Sequence, residues 1–173
     1  MVFTWIIILI SIIGIIVQDF KQRMVYVFWF PVLILSFSII RLLMGSPYQT
    51  LWTSVGSNLL FLIVQFVLVS IYFSIKEGKL VNITKNLLGL GDAFFLVSIA
   101  FYLSFLNFFL FYILSLMCTI ITWTLWLHFT RKKEIRIPLA GLQALFFILC
   151  VFGDWSITSV YLTSDNWLYN FLP

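Results

Sequence analysis

The sequence predicts an all-α protein embedded in a lipid bilayer, with about six transmembrane helices. Of its 173 residues, 63% are hydrophobic and only 9% are charged, whereas a soluble domain carries about 25% charged residues. So few charges cannot cover a water-facing surface, and 20 Phe and 7 Trp indicate a chain that faces lipid. Residues 1–173 contain no internal repeat or low-complexity tract, so we predict a single membrane-embedded domain.

Six apolar stretches supply the predicted helices, because a membrane-spanning helix needs about 20 apolar residues. They cover Val2–Gln18, Met24–Leu43, Leu51–Ile75, Asp92–Phe105, Asn107–Phe129 and Pro138–Ile157. The first is expected to be a retained helix, because it lacks the basic start and the cleavage site of a signal peptide. The fourth is too short to span, so it either begins earlier, near Leu87, or opens into a water-filled recess.

The basic residues predict the orientation of these helices. Lys and Arg follow the odd-numbered helices, and Arg41 alone lies elsewhere. The residues concerned are Lys21, Arg23, Lys76, Lys79, Lys85, Arg131, Lys132, Lys133 and Arg136. Because cytoplasmic loops are enriched in Lys and Arg, those loops are predicted to be cytoplasmic and the N-terminus to lie outside. The predicted location is the inner (cytoplasmic) membrane, as a multi-pass protein.

Two of the six acidic residues are candidates for chemistry. Glu77, Glu134, Asp154 and Asp165 are interpreted as loop, interfacial or tail charges without a chemical function. Asp19 ends predicted helix 1, where the helix dipole disfavours an anion, although Arg23 could neutralise it as an i,i+4 pair. Asp92 begins predicted helix 4, where an Asp is also a favoured cap.

Together, Asp19 and Asp92 form a pair of carboxylates on the predicted cytoplasmic side. Two carboxylates that share one proton can activate water and protonate a leaving amine, as in aspartic proteases. We therefore expect them to lie within about 10 Å of each other, since a resting site is often looser than a working one. Gly89 and Gly91 precede Asp92, and glycines there would permit unusual dihedral angles and a close backbone approach.

These stretches resemble the GxGD aspartyl proteases, and among them the type IV prepilin and preflagellin peptidases. Three segments carry the resemblance: Gly89-Leu90-Gly91-Asp92, Asp19-Phe20-Lys21-Gln22-Arg23 and Ile137-Pro138-Leu139-Ala140-Gly141. The third resembles the family's proline-containing entry to its last helix. Two departures concern the substrate subtype: Val25-Tyr26-Val27 replaces a proline-containing stretch, and Phe94 stands where many members have Lys.

The resemblance implies a membrane aspartic-type endopeptidase of type IV pilus or protein-secretion systems. Its catalytic residues would be Asp19 and Asp92, with Gly89, Gly91 and Arg23 belonging to the substrate loop and motifs. Its substrates would be pilin-like precursors with a basic leader and a hydrophobic helix, cleaved at the cytoplasmic face. The longer members' N-terminal domain, with paired CxxC motifs that accompany methylation, is not expected in this short form.

No metal, organic cofactor or nucleic-acid partner is expected. Cys118 and Cys150 form no CxxC pair and are interpreted as buried thiols. His128 has no Cys or acidic residue at ligand spacing. Two other functions stay open: a small transporter or channel subunit that uses Asp19 and Asp92 as proton or cation ligands, and a non-catalytic membrane scaffold.

Overall fold

A computed structural model of the protein describes residues 1–78, 89–130, 137–156 and 161–169, and within these ranges the ordered elements are all helices. The prediction of an all-α protein is confirmed. The helices are α1 (Val2–Gln22), α2 (Trp29–Leu43), α3 (Tyr48–Glu77), α4 (Leu90–Ala100), α5 (Phe105–Thr130), α6 (Leu139–Ser156) and the short α7 (Asn166–Tyr169).

Helices α1, α3 and α5 are long and apolar enough to cross a membrane. Helices α2, α4 and α6 are also apolar but shorter. Exposed large hydrophobic side chains line α1, α3 and α5, and such surfaces are stable when lipid covers them. The predicted class, a membrane protein built from apolar helices, is thereby supported.

Two predicted helix boundaries near Asp19 are wrong. Helix α1 continues past Gln18 to Gln22, and it ends where Arg23 adopts a left-handed conformation with φ 53° and donates its backbone N–H to the Asp19 carbonyl. Helix α2 begins at Trp29 and not at Met24. The apolar run from Met24 to Phe28 therefore forms a loop, because the left-handed residue before it redirects the chain.

The boundaries of the third and fourth predicted helices shift as well. Helix α3 extends the predicted stretch at both ends, to Tyr48 and Glu77, and α4 runs from Leu90 to Ala100, ending before Phe105. Several residues on which the sequence predictions rest lie outside the described ranges: Lys79, Lys85, Leu87, Leu88, Arg131, Lys132, Lys133, Glu134, Arg136 and Ile157.

One hydrophobic core joins the helices. Helix α1 packs between α2 and α6, α4 contacts α2, α3 and α6, and α5 packs against α3 and α6. From α1, Ile8, Ile12 and Ile15 enter this core at i, i+4, i+7 spacing, as expected for one face of a helix. Because α6 contacts both α1 and α4, it links the two helices that carry the candidate aspartates.

Residues 161–165, between α6 and α7, pack on the end of the bundle opposite the candidate aspartates. Asp165 accepts hydrogen bonds from the Ser104 hydroxyl (2.5 Å) and the Asn107 backbone N–H (3.4 Å) at the start of α5. The Asn107 amide also donates to the carbonyls of Tyr161 (2.9 Å) and Ser164 (3.0 Å). Asp165 is therefore a structural cap and not a freely solvated charge.

Asp154 and Arg41 fasten the same segment. The Leu162 backbone N–H donates to Asp154 Oδ1 (2.9 Å), and the guanidinium of the buried Arg41 donates to the Thr163 carbonyl (3.4 Å). Trp5 and Trp155 meet edge to face at this end, with ring centroids 4.9 Å apart. These contacts give Asp154 a structural role, which is compatible with the interpretation that it has no chemical function.

Candidate active site

Asp19 lies in the last turn of α1 and turns its side chain into the bundle, where it is 7% exposed. Its Oδ2 accepts a hydrogen bond of 2.6 Å from the backbone N–H of Gly141, at the start of α6. The extension of α1 beyond Gln18 is what places this carboxylate on the inner face of the helix. A buried carboxylate of this kind requires hydrogen-bond donors, and α6 provides one.

Asp92 lies in the first turn of α4 and is half-buried. Its Oδ2 accepts from the Gly89 backbone N–H (3.1 Å), which is the reciprocal bond of a helix cap. Its Oδ1 accepts from the backbone N–H of Ala140 (2.7 Å). The local cap was expected from the sequence, whereas the second bond reaches a helix far along the chain.

The N-terminus of α6 brings the two carboxylates together. Ala140 and Gly141 are successive residues in the first turn, where backbone N–H groups have no partner within the helix. One donates to Asp92 and the other to Asp19. Successive backbone nitrogens are less than about 4 Å apart, so the two accepting oxygens lie within about 9 Å of each other. The proximity expected from the sequence is confirmed.

The electrostatics of Asp92 reflect this arrangement. Asp92 lies in none of the three helices long enough to span a membrane. Burial and, to a smaller extent, the charge of Asp19 raise its pKa to about 6, although the hydrogen bonds from Ala140 and Gly89 act in the opposite direction. Desolvation thus outweighs the stabilisation of the anion by the helix N-terminus. A carboxyl group with this pKa exchanges its proton near neutral pH.

Arg23 lies beside the pair. Its positive charge acts on Asp19, as the i,i+4 spacing predicts, while its guanidinium lies over the ring of Trp123, 5.2 Å from the centroid. The cation–π contact ties the end of α1 to α5. The left-handed conformation of Arg23 is uncommon for a residue other than glycine, and it turns the chain away directly after the aspartate.

The two glycines of the GxGD stretch have different surroundings. A Cβ on Gly89 would lie 2.9 Å from Asp92 Oδ2, so the absence of a side chain is required by the close approach of the carboxylate. Gly91 lies inside α4, where a Cβ would make an ordinary contact with Val25 at 3.6 Å. Neither has a positive φ. The expected close approach is therefore found at Gly89, and the expected unusual dihedral angles are not found at either.

Ala140 and Gly141 are not among the site residues predicted from the sequence. Their backbone N–H groups, and not their side chains, contact the carboxylates, so residue types alone could not reveal them. The available signal was positional: Pro138 precedes an apolar helix, and the N–H groups of a helix's first turn attract carboxylates. Gly141 carries a second signal, since a Cβ there would lie 3.1 Å from Asp19 Oδ2 and 3.0 Å from the Phe20 ring.

No protein-family model, curated protein or solved structure matches this chain. Within the described ranges, no group of three or more His, Cys, Asp and Glu side chains could hold a metal ion. The site is therefore defined by its own geometry: two neighbouring carboxylates, from α1 and α4, held by the N-terminus of α6.

Proposed function

We propose that this protein is a membrane aspartic endopeptidase with Asp19 and Asp92 as its catalytic pair. One observation carries the proposal: carboxylates from two separate helices converge on the adjacent N–H groups of Ala140 and Gly141. A scaffold needs only local caps, and Asp92 already has one in Gly89. Bringing a second carboxylate to the same helix end increases the electrostatic repulsion: after burial, the charge of Asp19 is the next largest cause of the raised pKa of Asp92. Such an arrangement is typical of an acid–base pair.

The pair can hydrolyse a peptide bond when it holds one proton. The ionised carboxylate removes a proton from water, and the water oxygen attacks the scissile carbonyl carbon while the protonated carboxyl group donates to the carbonyl oxygen. The resulting gem-diol collapses as the C–N bond breaks: one diol hydroxyl returns its proton to the ionised carboxylate, and the protonated carboxyl group gives its proton to the leaving nitrogen. The pair thus holds one proton again. The N–H groups of Ala140 and Gly141 keep both carboxylates in position throughout.

The proposed substrate class follows the resemblance to prepilin and preflagellin peptidases. Substrates would be type IV pilin-like precursors, with a basic leader before a hydrophobic helix, and cleavage would remove the leader. The proposed placement is a multi-pass protein of the cytoplasmic membrane, with about six membrane-embedded helices, the N-terminus outside and the carboxylate pair at the cytoplasmic face. Positive charge in the last turns of α1 and α3, at Lys21 and Lys76, supports this orientation.

The proposal is tested by cleavage of a pilin-like precursor in membranes that contain the protein. Asp19→Asn and Asp92→Asn should each reduce the rate by at least about 100-fold, the contribution of an acid–base group. Asn still accepts a backbone hydrogen bond, so both variants should remain folded. Asp154→Asn is the matched control, because it also accepts one backbone N–H but lies at the opposite end, and it should keep full activity.

Full activity in either Asn variant of the pair would remove the basis for an aspartic mechanism. The same assay separates the two other functions, since neither a transporter subunit nor a scaffold cleaves the precursor. Thermal unfolding of the purified variants shows whether a lost activity reflects lost chemistry or a lost fold.

A further inference from the structure

The loop between α1 and α2, residues 24–28, carries four outward-facing apolar side chains beside the carboxylate pair. Met24 is 72% exposed, Tyr26 65%, Val27 61% and Phe28 71%. A run of this kind would be unfavourable in water, because large apolar side chains that lie next to one another form a patch.

The structure holds this loop in a defined conformation. Val25 points inward and packs on Gly91 of the GxGD stretch. The Tyr26 backbone N–H donates to the Gln18 side chain (3.0 Å), and the Tyr26 carbonyl accepts from the Trp29 backbone N–H (3.2 Å). The outward direction of the apolar side chains therefore follows from backbone contacts and is not a feature of an unstructured segment.

The length of α2 indicates what covers them. With 15 residues, α2 is about 22 Å long, shorter than the roughly 30 Å hydrocarbon core of a bilayer. At its far end the chain turns polar at Gly45 and Ser46, so the missing apolar length lies on the side of the loop. The exposed face of α1 leads to the same place, since Val17 and Phe20 are exposed near its end and Met24, in the loop that follows, is exposed as well. The loop is thus continuous with a lipid-facing surface.

We propose that the loop of residues 24–28 inserts its apolar side chains into the headgroup–acyl boundary of the adjacent leaflet. This inference rests on the membrane placement given under the proposed function. The loop backbone cannot lie within the hydrocarbon itself, where irregular exposed backbone is not tolerated, so its position is interfacial. Because Val25 packs on Gly91, the insertion sets the depth of the carboxylate pair at the level of the lipid headgroups.

The test measures the depth of the loop in phosphatidylcholine vesicles without any substrate. In a Cys118→Ala/Cys150→Ala background, Tyr26→Cys, Val27→Cys and Phe28→Cys each receive a nitroxide label. Gln22→Cys is the matched control, because Gln22 is an exposed polar residue in the last turn of α1. At positions 26, 27 and 28, collisions with oxygen should exceed those with a water-soluble nickel complex by several-fold, and at position 22 the order should reverse.

Nickel accessibility at positions 26 to 28 equal to that at position 22 would overturn the proposal. So would labels that are accessible in empty vesicles and become protected only after a pilin-like precursor is added, since the loop would then be a peptide-binding surface. Three separately labelled positions keep the test valid if one variant fails to fold. The readout requires no cleavage. A protein that cleaves no precursor but whose loop of residues 24–28 is inserted in the membrane would refute the proposed function and leave this inference intact.

Discussion

Gly141 offers the sharpest test of the site, because it lies where a backbone N–H and a carboxylate meet. In Gly141→Ala the new Cβ would lie 3.1 Å from Asp19 Oδ2 and 3.0 Å from the Phe20 ring. Both distances are shorter than ordinary contacts between a Cβ and its neighbours, so the carboxylate must move by a few tenths of an ångström. The 2.6 Å hydrogen bond from Gly141 to Asp19 would lengthen with it.

The expected effect on catalysis is about a 10-fold loss of precursor cleavage, equivalent to about 1.4 kcal/mol of activation free energy. A misplacement of about 1 Å costs on the order of 100-fold, and the displacement here is smaller. The matched control is Gly153→Ala, on the same helix, where a Cβ would meet nothing within 4 Å. Replacing glycine with alanine inside a helix stabilises it by about 0.5–1 kcal/mol, so Gly153→Ala should be at least as stable as the wild type and fully active.

The assay combines precursor cleavage in detergent micelles with thermal unfolding of the same samples. Loss of activity in Gly141→Ala at an unchanged unfolding temperature would place the defect at the Asp19 carboxylate. A Gly141→Ala variant that gained stability as Gly153→Ala does and also kept the full cleavage rate would show that the Asp19 carboxylate does not depend on the helix end.

The other predictions concern the carboxylates and the product. Gly89→Ala places a Cβ 2.9 Å from Asp92 Oδ2 and should reduce cleavage about 10-fold or more, whereas Gly56→Ala, with nothing within 4 Å, should leave it unchanged. The pKa of Asp92 is raised to about 6, and the two carboxyl groups titrate as a pair with two apparent pKa values. The pair loses its shared proton when the pH rises above the higher of these two values. A pH–rate profile should therefore decline on the alkaline side, beginning at about pH 6 or above. Asp19→Asn removes a neighbouring negative charge, so the pKa of Asp92 should fall, but it should remain above its ordinary value because burial persists. Infrared titration of the carboxyl band measures this pKa, and an unchanged value would mean that the two groups do not interact. Finally, the purified protein should transfer no methyl group from a labelled donor to its cleaved product, because the link between α3 and α4 is too short to form a nucleotide-binding domain; a labelled product would contradict this.

Local patterns predicted most of the helices but misplaced the two boundaries nearest the site. The hydrophobicity of Met24 to Phe28 predicts the start of a helix, because a lipid-facing loop and a lipid-facing helix have the same composition. The left-handed Arg23 and the bond from Tyr26 to Gln18 decide between them. These are contacts with residues of the preceding helix, and a pattern read along one segment does not contain them.

The sequence by itself determined the membrane class, the all-helical fold and the selection of Asp19 and Asp92 as candidate site residues. Composition, the length of apolar runs and the position of a charge at a helix end are local properties, and these three conclusions rest on them. The tertiary structure alone decided how the two aspartates meet. Their common partners, Ala140 and Gly141, contribute backbone N–H groups that every residue except proline carries, so their side chains give no sign of the role. It also decided the pKa of Asp92, since the burial and the neighbouring charge that raise it come from other helices.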